Sequence, residues 1–433
     1  MEIVLKITIY LLYLMIFSFF YFFYMKNRFL LNPASLNALF NALSFVGIVF
    51  LLDFSYKSDL IHLLALFIGF ISYIIGVFLA QKLYPVRVVN VKKWYSEDFN
   101  IDTSLEFITK SFLLSVFSIA IIFIYYNLVG YNLFLVGIKG GLGQSVDVAG
   151  LRLAMYSGEK YTGAGYVNQF KNFILPLLTI AFFVLANKKK SFFLFLWAFV
   201  LFLFNFYSLL GTGQRAPFVI FLLIIYFFSL AHKTYKQGHH KSTWKTSVLY
   251  LCIFVFFMSI SAVFLGRSEQ AGALKNALER IFLVNQYSAV VAFRYINEIP
   301  VAWGGQWFES IMGILPGHRG SDFDNIIFSL IWGSTRGNSP PSVYGSIYYN
   351  FYWFGLFFIP LIYGFICHCF YRFFLLGPRT LLRVLSAVSI FLTLGMWAYG
   401  TPVVLLNRGL LAVLFLLFIY KFRIFIPKRS FGI

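Results

Sequence analysis

The chain reads as an all-α polytopic integral membrane protein of about eleven transmembrane helices, on three observations. Of its 433 residues, 60% are hydrophobic and only 12% charged, whereas a soluble globular domain is about a quarter charged. That balance excludes an ordinary soluble enzyme and a disordered chain. The apolar residues gather in runs of about 20, the length a helix needs to cross a hydrocarbon core while satisfying its own backbone. The cations between those runs are distributed unequally, which sets an orientation.

Taken in order, the runs fall at about 3–25, 35–52, 61–81, 109–130, 166–186, 191–210, 214–231, 246–265, 343–370, 380–400 and 404–422. The first is too long, and lacks the small-residue cleavage site, to be a removable signal peptide, so it reads as a retained span. No repeat, heptad run or low-complexity block appears. Residues 1–433 are therefore expected to form a single transmembrane helical domain, with a Gly-rich loop over 131–165 and a large loop over 266–342. One set of alternate connections holds Lys26 and Arg28, then Lys82, Arg87, Lys92 and Lys93, then Lys188, Lys189 and Lys190. It continues with Lys233, Lys236, Lys241 and Lys245, with Arg372, Arg379 and Arg383, and with a tail of Lys421, Arg423, Lys428 and Arg429. The positive-inside rule makes that side cytoplasmic. The amino terminus is then outside, the carboxyl terminus inside, and both long loops face outward. In a soluble protein the net charge of +20 would suggest a polyanion such as nucleic acid; here it is first a matter of topology, and no nucleic acid is expected.

Cys252, Cys367 and Cys369 lie in or at the ends of spans. Cys367-His368-Cys369 has no second Cys or His pair at zinc spacing, so the cysteines read as small packing residues, and no metal or other cofactor is expected. The span centres also lack the charged groups that ion coupling uses. Lys6, Lys171 and Arg408 stand within a turn or two of span ends, where they can snorkel, and Asp53 sits at a boundary. Lys dominates the cytoplasmic connections, whereas the outward side holds Arg152, Arg215, Arg267, Arg280, Arg294, Arg319, Arg336 and Arg408. Arginine presents a rigid fork that pairs bidentately with phosphate, so the set points to a phosphate-bearing ligand at the outer surface. Pairing with acids such as Glu269, Glu279, Glu298, Asp322 and Asp324 is the structural alternative.

Gly211-Thr212-Gly213-Gln214-Arg215-Ala216-Pro217 is the sharpest local pattern. Its glycines allow a tight turn with exposed amides, and Pro217 suits the first turn of the next helix. Arg215, those amides and the helix dipole could converge on one anion, or the segment is an ordinary turn with a snorkelling Arg. Residues 274–298 read as a helix on which Arg280, Tyr287 and Arg294, seven apart, share a face. Arg280 and Arg294 stand about 21 Å apart along the axis, which suits a groove for a sugar chain with phosphate at one end, or two lipid phosphates. A helix lying on an anionic membrane surface is the alternative. Trp303-Gly304-Gly305-Gln306-Trp307, Pro316-Gly317-His318-Arg319-Gly320 and Gly333–Pro341 combine aromatic faces for sugars with polar groups for hydroxyls and phosphates, although Trp and Tyr belong at any membrane interface. Asp322-Phe323-Asp324 is a weak signal for a metal.

The passage Gly337-Asn338-Ser339-Pro340-Pro341-Ser342-Val343-Tyr344-Gly345-Ser346-Ile347-Tyr348-Tyr349-Asn350-Phe351-Tyr352-Trp353-Phe354-Gly355 runs straight into the ninth span. It resembles the end of the large periplasmic loop in bacterial oligosaccharide repeat unit polymerases, the Wzy-type O-antigen and capsule polymerases. The turn ending at Arg215 is similar to that family's Gly/Ser/Arg turn, and Gly266-Arg267 opens the large loop; the resemblance covers about residues 130–370. Gln214 stands where a small residue often precedes the arginine, and Asn350–Gly355 replaces a shorter Asn-Phe-Gly.

What the resemblance implies is an inner-membrane, metal-independent glycosyltransferase of GT-C-like architecture, active on its periplasmic face. Such enzymes transfer a growing glycan from an undecaprenyl pyrophosphate carrier to the non-reducing end of a fresh lipid-linked repeat unit. The implied partners are that donor and acceptor, membrane lipid and a chain-length regulator. On this reading Arg215 and Arg280 hold the pyrophosphate, with Arg267, Tyr287, Arg294, Arg319, Arg336 and Arg152 binding substrate. Glu269, Glu279, His318 and Tyr344 stay open as candidates for the base that deprotonates the acceptor hydroxyl. An O-antigen ligase, or a lipid-linked oligosaccharide flippase without bond chemistry, are the alternatives; the nearly charge-free spans weigh against the flippase.

Overall fold

The structure, a computed structural model, describes residues 2–25, 32–87, 91, 93, 94, 97, 99–139, 148–157, 163–214, 216–233, 283, 285–318, 320–335 and 337–421. In chain order its helices are α1 (Glu2–Tyr24), α2 (Pro33–Leu51), α3 (Lys57–Leu83), α4 (Leu105–Val129), α5 (Leu133–Lys139), α6 (Val148–Ser157), α7 (Gly165–Lys189) and α8 (Phe192–Leu210). They continue with α9 (Ala216–Lys233), α10 (Asn285–Ile296), α11 (Gly305–Met312), α12 (Phe323–Trp332), α13 (Val343–Leu375), α14 (Leu381–Gly395) and α15 (Val403–Lys421). Eight of these, α1 to α4, α7, α8, α13 and α15, are long and apolar enough to cross a membrane. The chain is thus a helical, multi-pass membrane protein. The expected seventh and tenth spans appear as the shorter apolar helices α9 and α14, and the expected span at 246–265 lies outside the described residues. Of the helix expected over 274–298, α10 is the described part. The described part of the loop over 266–342 contains the short helices α10, α11 and α12.

Helix starts are set by side chains that replace missing backbone partners. Asn32 accepts from the Ala34 amide at 2.9 Å, Ser104 from Phe107 at 3.2 Å and Ser342 from Gly345 at 3.0 Å. Several connections bond to one another, in two sets. In one, Trp94 Nε1 donates to the Gly377 carbonyl at 3.1 Å, Arg379 to the Glu97 carbonyl at 2.9 Å, and Leu381 N to Asn100 O at 3.0 Å. In the other, Leu133 N donates to Gly211 O at 2.8 Å, Val343 N to Ala398 O at 2.8 Å and Gly400 N to Pro341 O at 2.9 Å. Each of these bonds joins two connections that the cation count puts on the same side.

The most extensive helix pair is α3 with α13. A side chain at Gly76 would place its first carbon 1.9 Å from the Leu361 carbonyl oxygen, and one at Gly364 would sit 2.2 Å from that of Tyr73. Such backbone contact is how membrane helices associate where lipid gives no hydrophobic drive. Gly76→Leu or Gly364→Leu should therefore abolish the monodisperse peak of the solubilised protein on size-exclusion chromatography; a normal yield from both would contradict this packing.

α13 itself breaks at Tyr352 (φ 54°, ψ −150°). The Tyr349 and Asn350 carbonyls freed there accept from the amides of Ala302 and Gly304, both at 2.9 Å. The buried Asn350 amide donates to Gln306 Oε1 at 2.8 Å, its Oδ1 accepts from Trp307 N at 3.2 Å, and Trp307 Nε1 donates to Ser346 Oγ at 2.9 Å. Two segments singled out in the sequence, Trp303–Trp307 and Asn350–Gly355, thus bind each other. His368, between two cysteines, bonds Tyr24 Oη at 2.7 Å and the Tyr84 carbonyl at 2.9 Å, tying α1, α3 and α13 together.

Candidate functional site

At the end of the bundle that carries the long loops, segments far apart in sequence enclose a cavity of about 310 Å³, near the lower limit of small-molecule sites at about 300–1,000 Å³. Arg152 reaches it from α6, Ser288 from α10, and Phe328, Ile331 and Trp332 from α12. Asn338, Ser339 and Pro340 line it from the stretch before α13, Tyr399 from the α14–α15 connection and Arg408 from α15. The exposed Trp332 stands at its rim. Two guanidiniums, three hydroxyls and an amide face the space without a carboxylate among the lining residues. That lining is complementary to an anion carrying polar substituents.

Arg408 reaches the cavity because α15 breaks beneath it. The first turns of α15 widen over Leu406–Leu410, and the helix breaks at Arg408 (φ −93°, ψ 26°) and Gly409 (φ 115°, ψ −7°). A side chain at Gly409 would need that left-handed backbone and would also meet the Phe173 ring at 2.5 Å, so glycine is required twice over. Side chains hold backbone groups on both sides of the break. Thr393 Oγ1 donates to the Arg408 carbonyl at 2.8 Å, and the buried Gln169 donates to Asn407 O and accepts from Ala412 N, both at 3.2 Å. Arg408 Nη1 donates to the Met396 carbonyl at 3.3 Å, which anchors one edge of the guanidinium. Gln169→Leu should leave the fold intact but weaken anion binding in the cavity about tenfold, measured by titration with inorganic pyrophosphate; unchanged binding would show that the break does not aim Arg408.

The opposite wall is the stretch before α13. Asn325 Nδ2 reaches the Thr335 and Gly337 carbonyls at 3.2 and 2.9 Å and Asn338 Oδ1 at 2.9 Å. Ser288 Oγ donates to the Pro340 carbonyl at 3.1 Å. Ser342 and Tyr399 form an isolated antiparallel bridge, which places Tyr399 beside Asn338 to Pro340. Burial pushes the Tyr399 phenol up, against opposing contacts with Ser44, Gln286 and Arg408. It is therefore a neutral hydroxyl near pH 7, bonded to Ser44 Oγ at 3.0 Å.

Behind this wall, burial pushes the Asp324 carboxyl up to about 6, and its Oδ1 has no hydrogen-bond partner. The folded state holds that proton more tightly than the unfolded chain. The stability this gives is complete below the unfolded value of 3.8 and is lost as pH rises through about 6. Hydrogen-exchange protection across residues 323–340 should fall between pH 4 and pH 7, and Asp324→Asn should remove the fall; an unaltered fall in the variant would assign it elsewhere. Among the described residues no three His, Cys, Asp or Glu side chains converge.

Arg152 is the one sequence-selected substrate residue, among those described, that lines the cavity. Arg215, Arg267, Glu269, Glu279, Arg280, Arg319 and Arg336 lie outside the described residues. Arg294 stands apart. Its Nε and Nη2 donate to Asp59 Oδ1 and Oδ2 at 2.8 and 2.7 Å, and the guanidinium lies 4.9 Å from the Tyr56 ring centre. The fork expected to grip phosphate thus holds α10 to the start of α3. Tyr287, on α10, is exposed and His318 is exposed after a Pro-Gly turn; neither lines the cavity. Tyr344 is buried inside the bundle against Gly69, away from the cavity lining.

Comparison with protein-family models, curated proteins and solved structures finds no match.

Arg408, which the sequence places among the outward arginines and close enough to a span end to snorkel, turns into the cavity. The signal was Asn407-Arg408-Gly409 inside an apolar run, a polar triplet with a glycine where a span would not otherwise break. Lys171 does not snorkel either: it is fully buried and donates to Thr212 Oγ1 at 3.3 Å, fastening α7 to the turn before Arg215. Tyr399, Ser288 and Gln169 carried no local signal, since only the tertiary fold brings them together.

Proposed function

We propose that this chain is a bacterial surface-polysaccharide polymerase, transferring a growing glycan from its undecaprenyl pyrophosphate carrier to a new lipid-linked repeat unit on the periplasmic face. The observation that carries this reading is the cavity between Arg152 and Arg408. Its wall at Asn338 to Pro340 belongs to the passage that resembles the repeat unit polymerases, and its lining suits a pyrophosphate with a sugar attached.

On this reading the two arginines come from different elements and bracket the leaving pyrophosphate. Charge grows on that group as the glycosidic bond to phosphate breaks, so preorganised guanidiniums favour the transition state over the ground state. Tyr399, Ser288 and Asn338 orient sugar hydroxyls by hydrogen bonds, and Trp332 at the rim offers an apolar face to a ring. No carboxylate or imidazole lines the cavity among the described residues, so leaving-group stabilisation is the larger part of the catalysis these residues supply.

Deleting the gene and separating the surface glycan by length tests the assignment. A polymerase mutant keeps single-repeat caps and loses the ladder. Loss of both would assign a ligase, and repeats left on the cytoplasmic face a flippase; either result would overturn the proposal.

A further inference from the structure

A second cavity, of about 690 Å³, lies between α7, α8 and α9 toward the lysine-rich end of the bundle. Five phenylalanines line it, with Phe183 and Phe221 each about 6.3 Å from Phe202 between ring centres. At its deep end Thr179 is already engaged, donating to Leu175 O and accepting from Asn205 Nδ2, both at 2.8 Å. Among the lining residues the depth therefore presents mainly apolar surface. At its mouth stand Asn187 and Lys188, both exposed, and Lys189 and Lys190 follow at once. None of the three lysines makes an ion pair among the described residues.

The dimensions match one leaflet. From Thr179 to Lys188 is nine residues, about 13.5 Å along a helix at 1.5 Å per residue. Half of a hydrocarbon core about 30 Å thick is about 15 Å. A chain lying in the cleft would run from the membrane midplane to the headgroup level, with the lysines at its polar end.

We propose that this cleft binds one anionic glycerophospholipid from the leaflet on the lysine side, with an acyl chain against the phenylalanines and the headgroup phosphate on Lys188. The site is at the opposite end of the bundle from the arginine cavity and does not depend on the function assigned there. An anionic head is favoured because three consecutive cations, without carboxylate partners among the described residues, attract net negative charge, which a zwitterionic head lacks.

The test uses the purified full-length protein in nanodiscs with phosphatidylglycerol carrying a diazirine at the end of one acyl chain. Labelling should concentrate on residues 179–184 and 221–228, and phosphatidylcholine with the same chain should label them at least fivefold less. Ile225→Trp, which fills the cleft, should lose the label, and reversing Lys188, Lys189 and Lys190 to Glu should abolish the preference between the two lipids. Equal labelling by both lipids, labelling confined to the exposed faces of α1 and α4, full labelling of Ile225→Trp, or displacement by undecaprenyl phosphate but not by phosphatidylglycerol would each overturn the proposal. If a variant fails to fold, the contrast between the two lipids on the unsubstituted protein decides.

Discussion

Replacing Arg408 with alanine should abolish long-chain glycan while leaving the protein folded in the membrane, and Arg152→Ala should do the same. Removing one preorganised donor from a developing oxyanion costs roughly 10²–10³-fold in turnover. A polymer made by many successive transfers magnifies that loss, so the ladder should collapse to single repeats. Arg408→Lys should recover little, because lysine supplies a point charge without the fork that engages two phosphate oxygens. The break in α15 predicts a companion effect. Gly409→Val must either abandon the left-handed backbone or push Phe173 aside, and in both cases the guanidinium leaves the cavity. Ladder length on gels, with membrane abundance measured in parallel, decides the matter; a full ladder from Arg408→Ala and Arg152→Ala would show that the cavity does not hold the leaving group.

Arg294 should behave in the opposite way. Its carboxylate partner Asp59 is 1% exposed and takes a third hydrogen bond from the Asp53 amide at 2.7 Å. Arg294→Ala leaves that carboxylate buried without its counter-charge. Breaking a buried pair from one side costs about 3–5 kcal/mol. The lower end applies, because the Arg294 side chain is 36% exposed and partly screened. The variant should lose folded protein rather than only activity. Removing both partners together should restore much of it, since the unpaired buried charge is what destabilises each single variant. A thermal double-mutant cycle between Asp59→Ala and Arg294→Ala should therefore give a strongly favourable coupling. An inactive but fully stable Arg294→Ala would return this residue to the substrate site.

The contrast between these two arginines shows where sequence reading succeeds and where it stops. Eight of the expected spans were legible because hydrocarbon imposes length and polarity on each helix locally. Partner choice was not. Arg294 and Asp59 are separated by most of the chain, and nothing near either residue distinguishes a structural fork from a ligand-binding one. Arg408 was legible as an outward arginine but not as a cavity residue, for a related reason: a cation near a span end can simply snorkel, and only the break at Gly409, with Gln169 and Thr393 holding its loose ends, turns the side chain inward. Tyr399 came to the cavity through a single bridge to Ser342, a contact that no periodicity announces.

The most direct measurement is chain extension by the purified protein alone. Reconstituted with undecaprenyl pyrophosphate-linked repeat units, the protein should produce a ladder of lengthening glycan with release of the lipid pyrophosphate, and the Arg408→Ala protein should leave single repeats unextended. Failure of the folded, unsubstituted protein to join two repeats, or an undiminished ladder from Arg408→Ala, would contradict the assignment of glycan transfer to this cavity.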